Sequence, residues 1–286
     1  MKYSLFTLSL PDCTPAEAAR LIKEAGYDGI EWRCIDQPDE LPPTPDPWKS
    51  NRATLNVRHW TKLAAEFKKI TSDNGLEVSN LATYCRADQF DEVKKGIEIA
   101  KAVGSPRLRL TAPPYDGKTP YPEIFKKTKE AYAHSAGFCK DAGLQGLLEL
   151  HMGNIAPSAS LGFRILDGLD PKHIGVIHDP GNMVIEGYEN WKMGCELLGP
   201  YFAFCHAKNS RLRLSGTAES GAALWSYEPC EMNTGFVDWT SVMRAFKSVG
   251  YQGWISNEDH FSYHGKPALE RIRYGLAHLK KCESLA

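Results

Sequence analysis

Short apolar runs recur along the chain, and stretches with a helical pattern separate them. Short runs that are rich in branched or aromatic side chains are typical of buried strands. The pattern therefore predicts eight strands. They lie near residues 3–8, 29–34, 76–83, 106–111, 146–151, 174–179, 201–206 and 253–258.

Helices are predicted between these strands. Thr14 and Glu17 form the capping box that is typical of a helix N-terminus, and Gly26 is the expected end of that helix. Glycine adopts the left-handed conformation that ends a helix, and a glycine precedes several other predicted strands in the same way. Two further helices are predicted over residues 58–74 and 91–103.

The alternation of strands and helices predicts parallel strands that are joined by helical crossovers. Eight such units in 286 residues suit a closed barrel. An open, doubly wound sheet is the alternative, but no GxGxxG motif follows the first strand. We therefore predict an α/β protein with a single (β/α)₈ TIM barrel, which forms one domain over residues 1–286.

Three long segments follow predicted strands, at residues 35–57, 207–235 and 259–267. All three are expected on the face of the barrel where active sites lie. Long loops in this position are usually lids or specificity elements, and oligomer contacts are the alternative interpretation.

The composition limits the binding partners and the cellular compartment that we expect for the protein. The net charge of -1 provides no excess of positive charge for binding nucleic acid, and no apolar run approaches membrane-spanning length. The eight cysteines form no CxxC pair, which favours a reducing, cytoplasmic compartment over a disulfide scaffold or a zinc–thiolate site. We therefore expect neither nucleic acid nor a membrane as a partner.

Four strands in the second half of the chain end in an acid or a histidine: Glu149, Asp179, His206 and Glu258. A parallel barrel gathers the carboxyl ends of its strands at one mouth. We therefore expect these four side chains to converge on one divalent cation. Three carboxylates and one imidazole favour Mn²⁺ or Mg²⁺, with Co²⁺ and Zn²⁺ as alternatives.

The two-residue period of a strand predicts which neighbours share the mouth. Side chains two positions apart lie on the same side, so His151, Lys208 and His260 should face the same way as the ligand that precedes each of them. His178 and Asp179 are adjacent and must face opposite ways. We predict that Asp179 faces the mouth and that His178 is a hydrogen-bonded histidine beneath the helices.

Other polar and aromatic residues allow two interpretations. Arg109 and Arg86 can bind a carboxylate or phosphate of the substrate, or they can close the barrel mouth with salt bridges. Glu31 and Arg33 share one side of the second strand and are predicted to form a structural ion pair. Four aromatic residues can either line a sugar site or pack in the core. They are Trp32, Tyr84, Trp225 and Phe261.

These segments together resemble the xylose-isomerase-like superfamily of sugar phosphate isomerases and epimerases. The resemblance covers nearly the whole chain. It rests on the strand endings Glu149-Leu-His151, Asp179-Pro-Gly-Asn182, His206-Ala-Lys208 and Glu258, on Ala25-Gly-Tyr-Asp-Gly-Ile-Glu31, and on Thr234-Gly-Phe-Val-Asp-Trp239. Members include ketose epimerases, hydroxypyruvate isomerases, inosose dehydratases, sugar-acid decarboxylases and abasic-site endonucleases.

The resemblance implies roles for individual residues. It implies that the four strand-end residues bind the metal and that Glu149 and Glu258 are the paired acid and base. Many epimerases have a histidine where this chain has Asn182, which can donate a hydrogen bond to a sugar oxygen but cannot act as an acid. The residues predicted to bind substrate are His151, Asn182, Lys208, Arg109 and His260.

The expected function is an isomerase or epimerase of a small sugar or keto-sugar, which acts by proton abstraction and a metal-stabilised ene-diolate. The alternative is a metal-dependent lyase (a dehydratase, a decarboxylase or a glycoside-eliminating enzyme) on a keto-sugar or keto-inositol, since its first step is the same. A third hypothesis is a non-catalytic sugar-binding protein, although unused buried carboxylates are costly.

The DNA-repair branch of the superfamily is not expected. The endonucleases need extra histidines for a three-metal cluster, and strands three and four here end in Tyr84-Cys85-Arg86 and Arg109-Leu-Thr111. The resemblance also implies a homodimer or a homotetramer.

Overall fold

The computed structural model describes residues 1–259 and 265–286, and its strands dominate the centre of the molecule. The strands are β1 (Lys2–Phe6), β2 (Gly29–Ile35), β3 (Thr54–Asn56), β4 (Glu77–Thr83), β5 (Arg107–Leu110), β6 (Gln145–Glu149), β7 (Ile174–His178), β8 (Phe202–Ala207), β9 (Asn209–Thr217), β10 (Ala223–Cys230) and β11 (Trp254–Asn257).

Eight of these strands close a parallel ring in the order β1-β2-β4-β5-β6-β7-β8-β11. The ring closes because β1 pairs with both β11 and β2. The short strand β3 pairs only with the carboxyl half of β2, where Thr54 lies opposite Arg33. All eight predicted strands are present with small shifts at their ends, so the predicted TIM barrel is confirmed.

Helices cover the outside of the ring. The described residues form α1 (Pro15–Ala25), α2 (Trp60–Asp73), α3 (Phe90–Val103), α4 (Tyr121–Ala142), α5 (Ala159–Leu166), α6 (Pro180–Glu186), α7 (Trp191–Leu198), α8 (Trp239–Ser248) and α9 (Ala268–Leu285). Neighbouring helices pack against each other, and the contact between α1 and α9 completes the outer layer. The helices predicted over 58–74 and 91–103 correspond to α2 and α3.

The start of α1 shows how local sequence sets an element. The Glu17 carboxylate accepts a hydrogen bond from the Thr14 backbone N–H at 2.8 Å, and the Thr14 hydroxyl accepts one from the Glu17 N–H at 3.4 Å. The predicted capping box is therefore confirmed. At the other end, Gly26 has φ of 94°, which glycine tolerates and which ends the helix.

Two of the three long segments contain strands that the sequence did not predict. The first, 35–57, includes β3, and the second, 207–235, is mostly the antiparallel hairpin of β9 and β10. Its strands were missed because apolar and charged residues alternate in β9, whereas the other strands were recognised as continuous apolar runs. In the third segment, residues 260–264 lie outside the described part of the chain.

The interior of the ring has a separate apolar layer made of Leu147, Ile177, Phe204 and Trp254. These residues come from β6, β7, β8 and β11, one from each strand. Since side chains two apart share a side, each of the first three places the residue two positions later on the same inward face. The apolar layer therefore forms the floor on which the strand-end residues lie.

His178 lies on the opposite side of β7 and is fully buried against the helices, as predicted. Its ring contacts the rings of Trp191, Phe202 and Phe246, with centroids 5.4–6.0 Å away. The prediction that it is hydrogen-bonded was wrong, since neither ring nitrogen has a hydrogen-bond partner. Burial among aromatic side chains lowers the pKa of His178 to about 3.

The cysteines and the helices bear on two other expectations. All eight cysteines are free, and seven of them are buried. Within residues 1–259 and 265–286, the helices are too short or too polar to span a membrane.

A His178→Phe variant should weaken the acid sensitivity of the fold. Unfolded histidine binds a proton below its usual pKa of about 6.5, but the folded ring does not until about pH 3. Stability is therefore lost as pH falls, and His178 accounts for roughly 2 kcal/mol between about pH 7 and pH 5. Urea unfolding of both proteins at these two pH values measures this difference. An identical pH dependence in both proteins would contradict the prediction.

Candidate metal centre

The four predicted strand-end residues converge at the mouth of the barrel. Glu149, Asp179, His206 and Glu258 each offer one ligand atom, and these atoms all lie within 4.8 Å of one another. None of the four residues is more than 2% exposed. Three carboxylates and one imidazole at this spacing could hold a divalent cation.

His206 presents one ring nitrogen to the carboxylates. Its Nδ1 lies 2.8 Å from Glu149 Oε1, 3.3 Å from Glu258 Oε2 and 3.9 Å from Asp179 Oδ2. Phe6 stacks on the imidazole, with ring centroids 5.6 Å apart, and limits its rotation. The donor set therefore consists of Nδ1 and one oxygen from each acid.

The other ring nitrogen of His206 contacts Glu31, a residue that the sequence assigned elsewhere. Nε2 lies 3.0 and 3.1 Å from the two Glu31 oxygens, and Asn80 donates a hydrogen bond to Glu31 Oε1 at 2.8 Å. The ion pair predicted between Glu31 and Arg33 is therefore wrong. Arg33 instead donates to Thr54 Oγ1 at 2.9 Å and to the Trp48 carbonyl at 2.9 Å.

Glu31 determines which nitrogen of His206 can bind a cation. Burial alone would lower the pKa of His206, but Glu31 and Glu258 outweigh it and raise this pKa well above its usual value. A metal ligand must be deprotonated, so a cation at Nδ1 would displace the proton there. The Nε2 proton would remain as the hydrogen bond to Glu31, an arrangement that fixes the tautomer and the ring orientation.

Arg109 takes the salt-bridge alternative that the sequence left open. Its Nη1 lies 2.9 Å from Glu149 Oε2, and its Nε donates to the Thr83 carbonyl at 2.9 Å. Burial would raise the pKa of Glu149, but Arg109 and His206 hold it well below its usual range. Glu149 therefore stays ionised, with each of its oxygens in a charge-assisted contact. The other arginine that was considered, Arg86, pairs with Asp88 on the surface.

Lys208 also lies among the ligands. Its Nζ contacts Asp179 Oδ2 at 2.6 Å and Glu258 Oε2 at 2.8 Å. The side chain passes directly over Gly181, where a Cβ atom would lie 2.5 Å from Lys208 Cγ. Glycine at this position therefore lets the ammonium reach the cluster. Burial raises the pKa of Asp179 in spite of the nearby ammonium.

Asn182 supports Asp179 more directly than the sequence indicated. Its Nδ2 donates to Asp179 Oδ2 at 2.8 Å and to the Leu150 carbonyl at 3.2 Å, and its backbone N–H donates to Asp179 Oδ1 at 3.0 Å. Both amide hydrogens are thus in use. The predicted hydrogen bond from Asn182 to a sugar oxygen would have to replace one of these two bonds, whereas its buried Oδ1, which has no partner, can accept a hydrogen bond.

A cavity of about 380 Å³ opens onto the cluster. Its lining includes Glu149, Glu258 and four of the residues predicted to bind substrate. These four are His151, Asn182, Lys208 and Arg109. The fifth, His260, lies outside the described residues. His151 is held at the cavity by a hydrogen bond between its Nδ1 and the Met152 carbonyl at 2.6 Å.

The family can be identified from the sequence as a whole. A sequence profile described as "Xylose isomerase-like TIM barrel" matches residues 19–282. The chain belongs to this family. The resemblance inferred from the strand endings is therefore confirmed, and no curated protein matches the chain in sequence.

Solved structures of other proteins share the fold. The apo 3-keto-D-glucoside 4-epimerase YcjR from E. coli is 16% identical, with a TM-score of 0.71 over 99% of this chain and 100% of that one. The IOLI protein with a binding zinc atom is 15% identical, with a TM-score of 0.76 over 99% and 98%. The probable 3-DHS dehydratase AsbF from Bacillus anthracis is 14% identical, with a TM-score of 0.69 over 98% and 99%.

A Glu31→Gln variant should bind a divalent cation about 10- to 100-fold more weakly, since neutral glutamine supports the Nε2–H of His206 less well than a carboxylate. Competition between the protein and a chelator for Mn²⁺ measures this affinity. Imidazole ¹⁵N shifts in the metal-free protein should also show a changed proton distribution on His206. Glu77→Gln is the matched control, because Glu77 is an exposed residue at the start of β4 that pairs with Lys2. Unchanged Mn²⁺ affinity in Glu31→Gln would exclude this role.

Proposed function

We propose that the protein is a divalent-metal-dependent isomerase or epimerase of a small sugar or keto-sugar. The observation that carries the proposal is the buried cluster of three carboxylates and one imidazole, open to a cavity of about 380 Å³. Family membership and the sugar-processing neighbours support a carbohydrate substrate. We further propose that residues 1–286 act as one domain, and the free cysteines support a reducing, cytoplasmic compartment.

The donor set supports one cation, held by Glu149, Asp179, His206 and Glu258. Its three oxygens and one nitrogen favour Mn²⁺ or Mg²⁺, with Co²⁺ or Zn²⁺ as alternatives. When bound, such a cation supplies Lewis acidity, which makes the C–H bond beside a carbonyl more acidic.

We assign proton abstraction to Glu258. We assign its counterpart to Glu149, which is held ionised and must take up a proton from solvent before it can return one to carbon. Both residues line the cavity; Glu258 follows β11 and Glu149 ends β6, with two strands between them in the ring. Glu149 is held ionised by Arg109 and His206, whereas the described contacts of Glu258 are to Lys208 and His206. Return of the proton to the neighbouring carbon gives isomerisation, and return to the opposite face gives epimerisation.

Elimination is the second candidate function. Proton abstraction beside a carbonyl also expels a leaving group on the next carbon, so the same residues serve a lyase. The likeness of the fold to the probable dehydratase AsbF favours keeping this candidate. The mass of the product separates it from isomerisation.

Incubation with keto-sugars and Mn²⁺ in heavy water tests the proposed chemistry. An isomerase or epimerase should place one deuteron on carbon without loss of water or carbon dioxide, as read by mass spectrometry. A lyase gives an unsaturated or shortened product. Absence of both exchange and elimination across a broad panel of keto-sugars would reject the proposal.

A Glu258→Gln variant should lose about 10²- to 10⁴-fold in the rate of exchange, because the amide retains an oxygen donor but accepts no proton. The exchange rate is measured with saturating Mn²⁺, and thermal melting verifies that the fold is retained. Glu98→Gln, which changes a solvent-exposed residue of α3, is the matched control. A near-normal rate in Glu258→Gln would remove Glu258 from the role of base.

Metal removal should both inactivate and destabilise the protein. A cation at about 100 times its dissociation constant adds roughly 2.7 kcal/mol to the stability of the folded state. Treatment with a chelator followed by Mn²⁺ should therefore lower and then restore both the melting temperature and the exchange rate. A melting temperature that is insensitive to Mn²⁺ and Mg²⁺ would argue against the cation site itself.

A further inference from the structure

The cavity over the cluster has an aromatic wall that the proposed proton transfer does not use. Trp48, Tyr84 and Tyr227 all line it. Their exposed fractions are 48%, 37% and 47%, which is large for aromatic side chains that border a cavity. Exposed aromatic surface at a binding cleft typically marks where a ligand packs.

Hydrogen bonds hold the backbone at Trp48. The Arg33 guanidinium donates to the Trp48 carbonyl at 2.9 Å, and Arg33 is only 1% exposed. The Asp46 carboxylate accepts hydrogen bonds from the backbone N–H groups of Trp48 and Lys49 at 2.9 and 2.8 Å. The backbone of this turn is therefore held in place before any ligand is present, so little backbone entropy is lost on binding.

Tyr84 is fixed by the same arginine. Its ring centroid lies 5.6 Å from the Arg33 guanidinium and 4.1 Å from that of Arg109. Contacts between cations and the ring orient the tyrosine without burying it. Arg33 therefore organises both Trp48 and Tyr84, although it does not itself line the cavity.

Tyr227 comes from the hairpin that follows the barrel strand carrying His206. It lies on β10 directly opposite Leu212 of β9, and the adjacent Glu228 pairs with Arg211 at 2.7 Å. The hairpin contributes Pro229 to the lining as well. A second apolar surface thus joins the cavity from a different loop.

The positive charges in the described lining are already matched by carboxylates. Its two cationic side chains, Arg109 and Lys208, pair with Glu149, Asp179 and Glu258. Of their nitrogens, only Arg109 Nη2 has no hydrogen-bond partner. Recognition of a phosphate or carboxylate typically uses an unmatched cation and a bidentate contact. Since neither charge is unmatched, the lining is better suited to an uncharged substrate.

We infer that the substrate is an uncharged keto-sugar that carries a flat apolar group, as an aryl glycoside does, and that Trp48, Tyr84 and Tyr227 bind this group. The proposed function is the basis for placing the sugar at the strand ends. The aromatic wall gives the remainder of the molecule a specific binding surface, worth about tenfold in affinity for one stacked ring.

Ligand-observed NMR titration of the Mn²⁺-free protein loaded with Mg²⁺ tests the inference without turnover. Phenyl β-D-glucopyranoside should bind about tenfold more tightly than methyl β-D-glucopyranoside, and glucose 6-phosphate should bind no more tightly than glucose. Trp48→Ala and Tyr227→Ala should remove most of the phenyl preference, while Trp48→Phe should keep it. Trp225→Ala, on the same hairpin but outside the lining, is the matched control.

Equal affinities for the phenyl and methyl glucosides, no measurable binding of the phenyl glucoside, or tighter binding of the phosphate would each overturn the inference. The same holds if Trp225→Ala removes the phenyl preference and Tyr227→Ala does not. Because binding is read separately from proton exchange, a phenyl preference without exchange refutes the proposed chemistry alone. Exchange on keto-sugars without a phenyl preference refutes the aromatic binding surface alone.

Discussion

Mutual repulsion of buried carboxylates is the constraint around which the mouth of this barrel is built. Glu149, Asp179 and Glu258 bring negative charge to a point that water hardly reaches. Acidic groups this close do not all stay ionised unless positive charge lies among them. Arg109 and Lys208 meet part of this requirement, and the spacing of the four side chains could hold a divalent cation as well.

The ring of strands supports this concentration of charge from below. Each acid or histidine follows a strand whose inward apolar side chains fill the space beneath, so the polar layer rests on a packed floor. Supporting contacts come from neighbouring segments. Asn182 holds Asp179, Glu31 holds His206, and the backbone at Gly181 leaves room for Lys208. A shift of one strand would therefore disturb several charged contacts together.

The barrel and the convergence of the strand ends could be predicted because both follow from periodicity. Apolar runs marked the strands, and the two-residue repeat required Asp179 and His178 to face opposite ways. The contact of Glu31 with the metal centre was missed because periodicity does not identify a partner in a distant part of the chain. Glu31 was predicted to share a side of β2 with Arg33, but its partner is His206, 175 residues away, rather than Arg33, two residues away. One donor of Asn182 is taken up by the Leu150 carbonyl, a contact that only the folded ring creates, and the other by Asp179, three residues earlier.

The contact between Glu31 and His206 joins residues that are 175 positions apart. Glu258 comes later still, directly after β11, which closes the ring against β1. A chain that is still emerging from the ribosome thus lacks part of the donor set until residue 258 has been made. Contacts of such long range form late because loop closure costs entropy that local contacts do not. A cation that binds here should therefore stabilise a ring that has already closed, and it would not initiate the folding of the earlier strands.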